Sequence, residues 1–215
     1  MKRENVSEAV IRRLPRYYRY LDELYAKGIV RISSSSLGNR MGITASQIRQ
    51  DLSCFGEFGQ QGYGYNIQEL RREIGHILGI DNAHSIIVVG VGNLGRALMK
   101  NFHFSDIGFT VDAAFDVDLG LVGTMIKGIP IYEMRQLEAY ASRKIPDVAV
   151  LTVPQSVAQE TANRLIDCGI RGIWNFTNVE LTSDKEDVQF ENVHFADSLL
   201  TLNYRITRSR QLNDK

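Results

Sequence analysis

The run Ser85-Ile86-Ile87-Val88-Val89 leads straight into Gly90-Val91-Gly92-Asn93-Leu94-Gly95. Five largely apolar residues followed by Gly-x-Gly-x-x-Gly and a helical pattern suit one kind of chemistry. A buried strand ends in a turn tight enough to need glycine, and a helix then points its free N–H groups at a pyrophosphate. A lone glycine triplet says little, but this one stands in the strand–turn–helix context that the chemistry requires. The acid that completes such a site is also present. Phe109 to Phe115 reads as a second strand with Asp116 at its end and Val117 and Asp118 just behind. A carboxylate there accepts hydrogen bonds from the adenosine ribose and repels a 2′-phosphate. NAD(H) is therefore expected over NADP(H), with Gly90, Val91, Gly92, Asn93, Leu94, Gly95, Asp116, Val117 and Asp118 as contacts.

Positioning those residues takes a sheet. Asp147 to Val153 reads as another buried strand that Pro154 stops. Ser156 is expected to cap the next helix, with Gln159 three residues on and Gly169 closing it. Ile170 to Phe176 gives a further strand. Alternating strands and helices make a doubly wound parallel sheet whose ligand crevice lies at the C-terminal ends of the strands. Gly90, Asp116, Thr152 and Asn175 stand at such ends.

The first eighty residues have another character. They carry twelve Lys/Arg against eight Asp/Glu, while the remainder carries thirteen against seventeen, although the whole chain is formally neutral. A basic module joined to an acidic one fits a polyanion-binding head on a small-molecule domain. Residues 10–24 have apolar positions at helical spacing, with Pro15 near a first turn and Gly28 as a terminator. A serine-capped short helix follows from Ser33 to Met41, then a turn at Gly42-Ile43, then a helix opened by Thr44 with Gln47 in the capping-box position. Two short helices about a glycine-bearing turn make a helix-turn-helix. Ile48 and Leu52 face its core, leaving Ser46, Arg49, Gln50 and Ser53 on the opposite face to reach base edges and phosphates. Residues 55–65, where glycines alternate with aromatics and glutamines, suit a β-hairpin wing that reaches a minor groove. The expected DNA contacts are Arg12, Arg16, Ser46, Gln47, Arg49, Gln50, Ser53, Gln60, Gln61, Gly62 and Tyr63. Residues 68–78 read as a last helix before the nucleotide domain.

Composition narrows the remaining classes. Apolar residues make up 44% and charged residues 23% of the 215, which is ordinary for a globular protein. No apolar run reaches bilayer length and no signal-peptide core follows the N-terminus, so a cytoplasmic location is expected. Cys54 and Cys168 have neither disulfide nor metal spacing, and His76, His84, His103 and His194 do not cluster. No metal site and no catalytic set is expected.

These motifs resemble, in order, the Rex family of bacterial redox-sensing transcriptional repressors. The resemblance is carried by the tyrosine-rich basic first helix, Gln47-Ile48-Arg49-Gln50-Asp51-Leu52-Ser53, the stretch Phe58 to Asn66, and Gly90 to Gly95. Ala114-Phe115-Asp116, Leu151-Thr152-Val153-Pro154 and Gly172 to Phe176 continue it across nearly the whole chain. The resemblance implies a repressor that reads the NADH/NAD+ balance, released from operator DNA by NADH. It adds Thr152, Val153, Pro154, Asn175, Phe176 and Phe195 to the cofactor contacts. It also implies a homodimer on a palindromic operator, with the C-terminal helix crossing to the partner; read by itself, the amphipathic run from Asp197 would as readily dock on its own domain. In the family a tyrosine reaches the partner's cofactor; around Lys100-Asn101-Phe102-His103 no such tyrosine stands, which leaves Phe102 as its substitute. The family arginine matched by Arg19 pairs with an acid just before the C-terminal aromatic; His194 occupies that position here, leaving Asp197 as the substitute acid. Gln60 and Gln61 replace basic wing residues of many relatives, so fewer phosphate contacts and a shallower salt dependence are expected.

The expected fold is therefore α/β: a winged-helix domain over 1–80, a Rossmann-like NAD(H) domain over 81–196 and a C-terminal helix over 197–215. Two other readings compete. A dehydrogenase would need a substrate domain, for which the nucleotide domain leaves no length, and an acid/base pair, and none is expected beside the nicotinamide position. A coenzyme A sensor would place a ribose 3′-phosphate against Asp116.

Overall fold

The structure, a computed structural model, describes residues 6–56, 58 and 63–213. The chain divides into two compact units, the first ending at Asn82 and the second beginning at Ala83.

The first unit contains α1 (Glu8–Ile11), α2 (Leu14–Ala26), β1 (Arg31–Ile32), α3 (Ser34–Met41), α4 (Ala45–Ser53), β2 (Tyr65–Asn66) and α5 (Ile67–Ile77). The single first helix expected over 10–24 is instead two. Pro15 lies in the first turn of α2; it has no N–H to continue a ladder and its ring excludes the preceding turn, so the chain restarts there. The helix-turn-helix forms as its caps direct. Ser33 Oγ accepts from Ser36 N at 3.0 Å and Thr44 Oγ1 from Gln47 N at 3.1 Å, while Gly42 closes α3 at φ +70°. Leu14, Tyr17, Leu21, Leu24, Leu37, Ile48, Leu52, Ile67, Leu70 and Ile74 are buried together as its core.

The hairpin wing expected over 55–65 lies in part outside the described residues; at its end β2 pairs antiparallel with β1, Ile32 opposite Tyr65. The close approach explains Gly64, where a Cβ would meet Ile32 O at 2.6 Å and φ is +71°. Gln60, Gln61 and Gly62 lie outside the described residues.

The second unit is built on β3 (His84–Val89), α6 (Asn93–Asn101), β4 (Phe109–Asp116), β5 (Met125–Ile126), β6 (Ile129–Glu133), α7 (Leu137–Ala141), β7 (Val148–Leu151), α8 (Gln155–Asp167), β8 (Gly172–Asn175), β9 (Gln189–Asn192) and α9 (Phe195–Asn213). The strand order is β5-β6-β4-β3-β7-β8-β9. All neighbours run parallel except β5 against β6. β3 is buried from Ser85 to Val89, as a central strand covered on both faces must be. The topology reverses between β3 and β7, which is where such folds hold ligands.

Two local expectations fail here. α8 starts two residues earlier than the Ser156 cap would allow: Pro154 occupies the N-cap position and no side chain caps it. Gln159 instead bridges to Asn163 at 2.8 Å and to the Thr182 backbone. α9 begins at Phe195, two residues before Asp197. Among the described residues, no helix is long and apolar enough to cross a membrane.

Candidate functional site

The loop after β3 is shaped by three glycines with three different reasons. Gly90 has φ +92°, and a Cβ there would lie 2.8 Å from the Thr152 carbonyl. Gly95 brings α6 so close that a Cβ would stand 2.0 Å from Gly90 O. At Gly92 neither reason holds: φ is −69°, open to any residue, and nothing lies within 4 Å of a Cβ. A glycine with no conformational or packing demand leaves its space to something other than protein. It sits at the N-cap of α6, which carries no side-chain cap and no acid in its first turn. That end therefore offers free N–H groups and the positive end of the helix dipole to an anion. The donor set fits a dinucleotide pyrophosphate.

Asp116 ends β4 beside this loop. Its Oδ2 accepts from Val91 N at 2.5 Å and its Oδ1 from Asp118 N at 2.8 Å, while Asp118 Oδ1 accepts from Gly120 N. The carboxylate thus clasps the glycine loop to the end of β4, with lone pairs left for a ribose. Val117 is exposed. A cleft of about 350 Å³ opens next to Asp116, walled by Val89, Phe115, Val117, Val153, Pro154 and Val157. Asn93 and Leu94 form the first turn of α6, Asn93 Oδ1 accepting from Arg96.

The other expected cofactor residues divide in their roles. Thr152 Oγ1 donates to Gly90 O at 2.6 Å and lies 3.2 Å from Val89 O, so it fastens β7 to the glycine turn. Asn175 is buried, and its amide is saturated by Val179 O, Asn192 Oδ1, Thr177 N and Thr177 Oγ1. It shapes the loop after β8 from within. Phe176 is buried between Trp174 (ring centroids 4.6 Å apart) and Phe195 at 6.0 Å, and Phe195 is 58% exposed. Phe102 packs on Phe104 and Trp174 of its own unit and keeps 40% of its surface open. His194 Nε2 lies 3.1 Å from Glu180 Oε1. Among the described residues no group of His, Cys, Asp and Glu could hold a metal. Cys54 and Cys168 are unpaired, and burial pushes the Cys168 thiol up, away from thiolate chemistry.

In the first unit α4 presents Ser46, Arg49, Gln50 and Ser53 outward, all exposed. Arg49 Nη1 reaches Ser34 Oγ at 3.1 Å and Ser53 Oγ turns back to Gln50 O. Gln47 faces inward instead, its amide donating to Asp51 Oδ1 at 2.7 Å. Arg12 pairs with Glu8, and Arg16 donates to the Met41 carbonyl at the end of α3. Tyr63 is exposed with the Arg31 guanidinium 6.0 Å above its ring.

Two features of this head were not singled out from the sequence. Fully buried Asp51 accepts from Arg13 Nε and Nη2 (2.6 and 2.9 Å), from Tyr17 Oη (2.9 Å) and from Gln47, locking α4 onto α2. Gly38 lets the two helices meet, since a Cβ there would stand 2.5 Å from Ile43 O. Gly38→Ala is accordingly expected to cost about 1–3 kcal/mol through a forced backbone shift. Thermal unfolding checks this, and an unchanged midpoint would contradict it. An isolated Asp within an i, i+4 pattern signals a surface face; only the arginine at position 13 and the tyrosine at 17, one turn apart, hint at an inward acid.

Fold and site together define a two-unit protein: a helix-turn-helix head joined to an α/β domain with a dinucleotide cradle. Comparison with known proteins agrees at both ends. Residues 5–53 match the family described as "Putative DNA-binding protein N-terminus" and residues 81–179 the family described as "CoA binding domain". The redox-sensing transcriptional repressor Rex of Clostridium botulinum strain Hall is 50% identical over 208 residues, covering 97% of this chain and 99% of that protein. A crystal structure of RSP in complex with beta-NAD+ and operator DNA is 45% identical with TM-score 0.89, covering 98% of this chain and 96% of that one. RSP in complex with beta-NADH is 42% identical with TM-score 0.90, covering 97% and 98%. The chain belongs to the Rex family of redox-sensing transcriptional repressors.

Proposed function

We propose that this protein is a non-enzymatic transcriptional repressor that binds operator DNA and is released from it by NADH. The observation that carries this reading is the cradle itself: Gly92 open at the N-terminus of α6, with Asp116 fixed at the neighbouring strand end, in one chain with a helix-turn-helix. The complexes of RSP with beta-NAD+, beta-NADH and operator DNA support the same reading.

In this reading Gly90 to Gly95 receive the pyrophosphate and Asp116 the ribose, with Val117 and Asp118 beside it. Thr152, Val153 and Pro154 form the facing wall, and Phe176 and Phe195 stand toward the nicotinamide. The cofactor brings one property to the site: its oxidised ring is positively charged and its reduced ring is neutral. Aromatic and aliphatic walls favour the neutral ring, because burying a charge without a partner is costly; a hundredfold preference for NADH takes only about 2.8 kcal/mol. Ser46, Arg49, Gln50 and Ser53 meet the major groove, with Arg12, Arg16, Gln47, Tyr63 and the segment 60–62 as flanking contacts or supports.

A homodimer in the cytoplasm reading a palindromic site completes the proposal. It is supported by α9, on which Leu199, Leu200, Leu202, Tyr204 and Ile206 are all 43–67% exposed, an apolar surface that a second copy would cover.

Operator affinity measured with and without NADH tests the proposal. A coupling of about 1–3 kcal/mol, roughly a 5–150-fold weakening, is expected with NADH, and equal affinities would refute it. The match to a coenzyme A-binding family gives a second reading for the ligand. The 3′-phosphate of that molecule would face the Asp116 carboxylate, so calorimetry is expected to give heat with NADH and none with coenzyme A.

A further inference from the structure

The cleft beside Asp116 has mostly apolar walls. Val117, Val153 and Pro154 are among them, and Glu160, Thr161 and Arg164 of α8 line it as well. A planar base suits such walls, and the ribose acid in the same lining places the adenine end of a dinucleotide in this cleft rather than the nicotinamide end. What matters is which polar group the base would meet.

Thr161 is already committed, its hydroxyl donating to Val157 O at 2.8 Å. Arg164 is committed too: Nε and Nη2 both bond Glu138 Oε1, at 3.1 and 2.7 Å, and Nη2 also meets Met134 O. Glu160 has no such bond among the described residues, and its side chain is exposed. Besides Asp116, it is therefore the side-chain acceptor of the described lining with lone pairs to offer. A carboxylate accepts hydrogen bonds and cannot donate them. At the 6-position adenine presents an amino donor, whereas hypoxanthine and guanine present an oxo acceptor that a carboxylate repels; their N1–H, which a carboxylate would accept, stands on the neighbouring edge, so the discrimination is read at the 6-substituent alone.

We propose that Glu160 reads the 6-amino group of the dinucleotide's purine, so that the cleft selects adenine over 6-oxo purines. The inference rests on the assignment of NADH to this site and deepens it. Glu160 acts on recognition alone, at the end of the ligand remote from the redox-active ring.

The test is equilibrium titration of the full chain, by calorimetry or nicotinamide fluorescence, with NADH and with its reduced hypoxanthine analogue. Wild-type protein is expected to bind NADH about tenfold more tightly, as one charge-assisted hydrogen bond allows. Glu160→Gln should bring the two affinities to within about twofold, because a carboxamide turns either its oxygen to an amine or its NH2 to a carbonyl. Equal affinities in the wild type, or a tenfold preference that survives Glu160→Gln, would overturn the inference while leaving NADH binding intact. The latter result would hand the discrimination to Arg164 or to backbone groups. Failure of the wild type to bind either dinucleotide would overturn the assignment of the site, and the inference with it. Since Glu160 is exposed and makes no bond among the described residues, both proteins should melt at the same temperature.

Discussion

Asp51→Ala is expected to abolish operator binding and to destabilise the N-terminal unit by about 3–5 kcal/mol, the cost of leaving one partner of a buried ion pair without the other. The acid is fully buried and serves four donors. Its removal leaves the Arg13 guanidinium, the buried Tyr17 hydroxyl and the Gln47 amide without an acceptor, and each such group bears a desolvation cost. The Arg13 side chain keeps 24% of its surface in water, which places the expected value toward the lower end. Asp51→Asn keeps the shape and one acceptor oxygen, and should lose less. The pH dependence separates charge from shape. Burial opposes ionisation of Asp51, but the hydrogen bonds from Arg13, Gln47 and Tyr17 outweigh it and hold the carboxyl below its usual range. A carboxylate depressed in the folded state contributes stability that is fully present above its unfolded value of about 3.9 and is lost as pH falls through the folded value. The wild-type melting temperature should therefore drop below about pH 4 more steeply than that of Asp51→Asn. Equal melting temperatures for Asp51→Ala and wild type at pH 7 would sink the idea that this cluster holds α4 in place.

The consequence for function follows from what the cluster joins. Asp51 and Gln47 lie on α4, whose outer face carries Ser46, Arg49, Gln50 and Ser53, while Arg13 and Tyr17 lie at the start of α2. The face proposed to meet DNA is thus oriented by an ionic tie rather than by apolar packing alone. The sequence displayed the outer face clearly, because i, i+3, i+4, i+7 spacing is local. The tie is not local: its partners are 34 and 38 residues apart, and nothing in the spacing of one helix announces them.

The same division runs through the whole chain. Caps at Ser33 and Thr44, the terminator Gly42 and the strand–turn–helix at Gly90 were legible because each is decided within a few residues. The pairing of β2 with β1 was not, since a strand of two residues takes its partner from tertiary context. β6 and β9 were also invisible: Pro130 interrupts the first, and Gln189-Phe190-Glu191-Asn192 is too polar to read as a strand. Both gain their conformation from the sheet they extend. In the site, Asp116 was legible from its place after an apolar run. Asn175 was found at the right strand end, yet its amide is wholly occupied in holding the following loop, a role that position alone does not reveal. Glu160 was missed because an exposed acid on an amphipathic helix looks like any solvated side chain until the cleft beside it is seen.

The glycines of the cradle permit a sharper experiment, since their reasons differ. At Gly95 an added methyl meets a carbonyl that cannot retreat: Gly90 O accepts from Thr152, and Gly90 N is bonded to Phe115 O at 2.9 Å. Gly95→Ala must therefore push α6 away from β3, loosening the second unit by about 1–3 kcal/mol and misplacing the N–H groups proposed to receive the pyrophosphate. NADH affinity is expected to fall on the order of 100-fold, about 2.8 kcal/mol. The head has its own core and should stay folded, so the variant should still bind operator DNA but no longer respond to NADH. Gly92→Ala has nothing to strike and an ordinary φ. It should melt with the wild type, or slightly above it because alanine restricts the unfolded chain, and yet lose dinucleotide affinity because its methyl fills the space the phosphates approach. Melting curves and NADH titrations of the two variants distinguish these effects. If Gly92→Ala bound NADH as well as the wild type, the open face at that residue would have no ligand to receive, and the cradle would be an architectural turn alone.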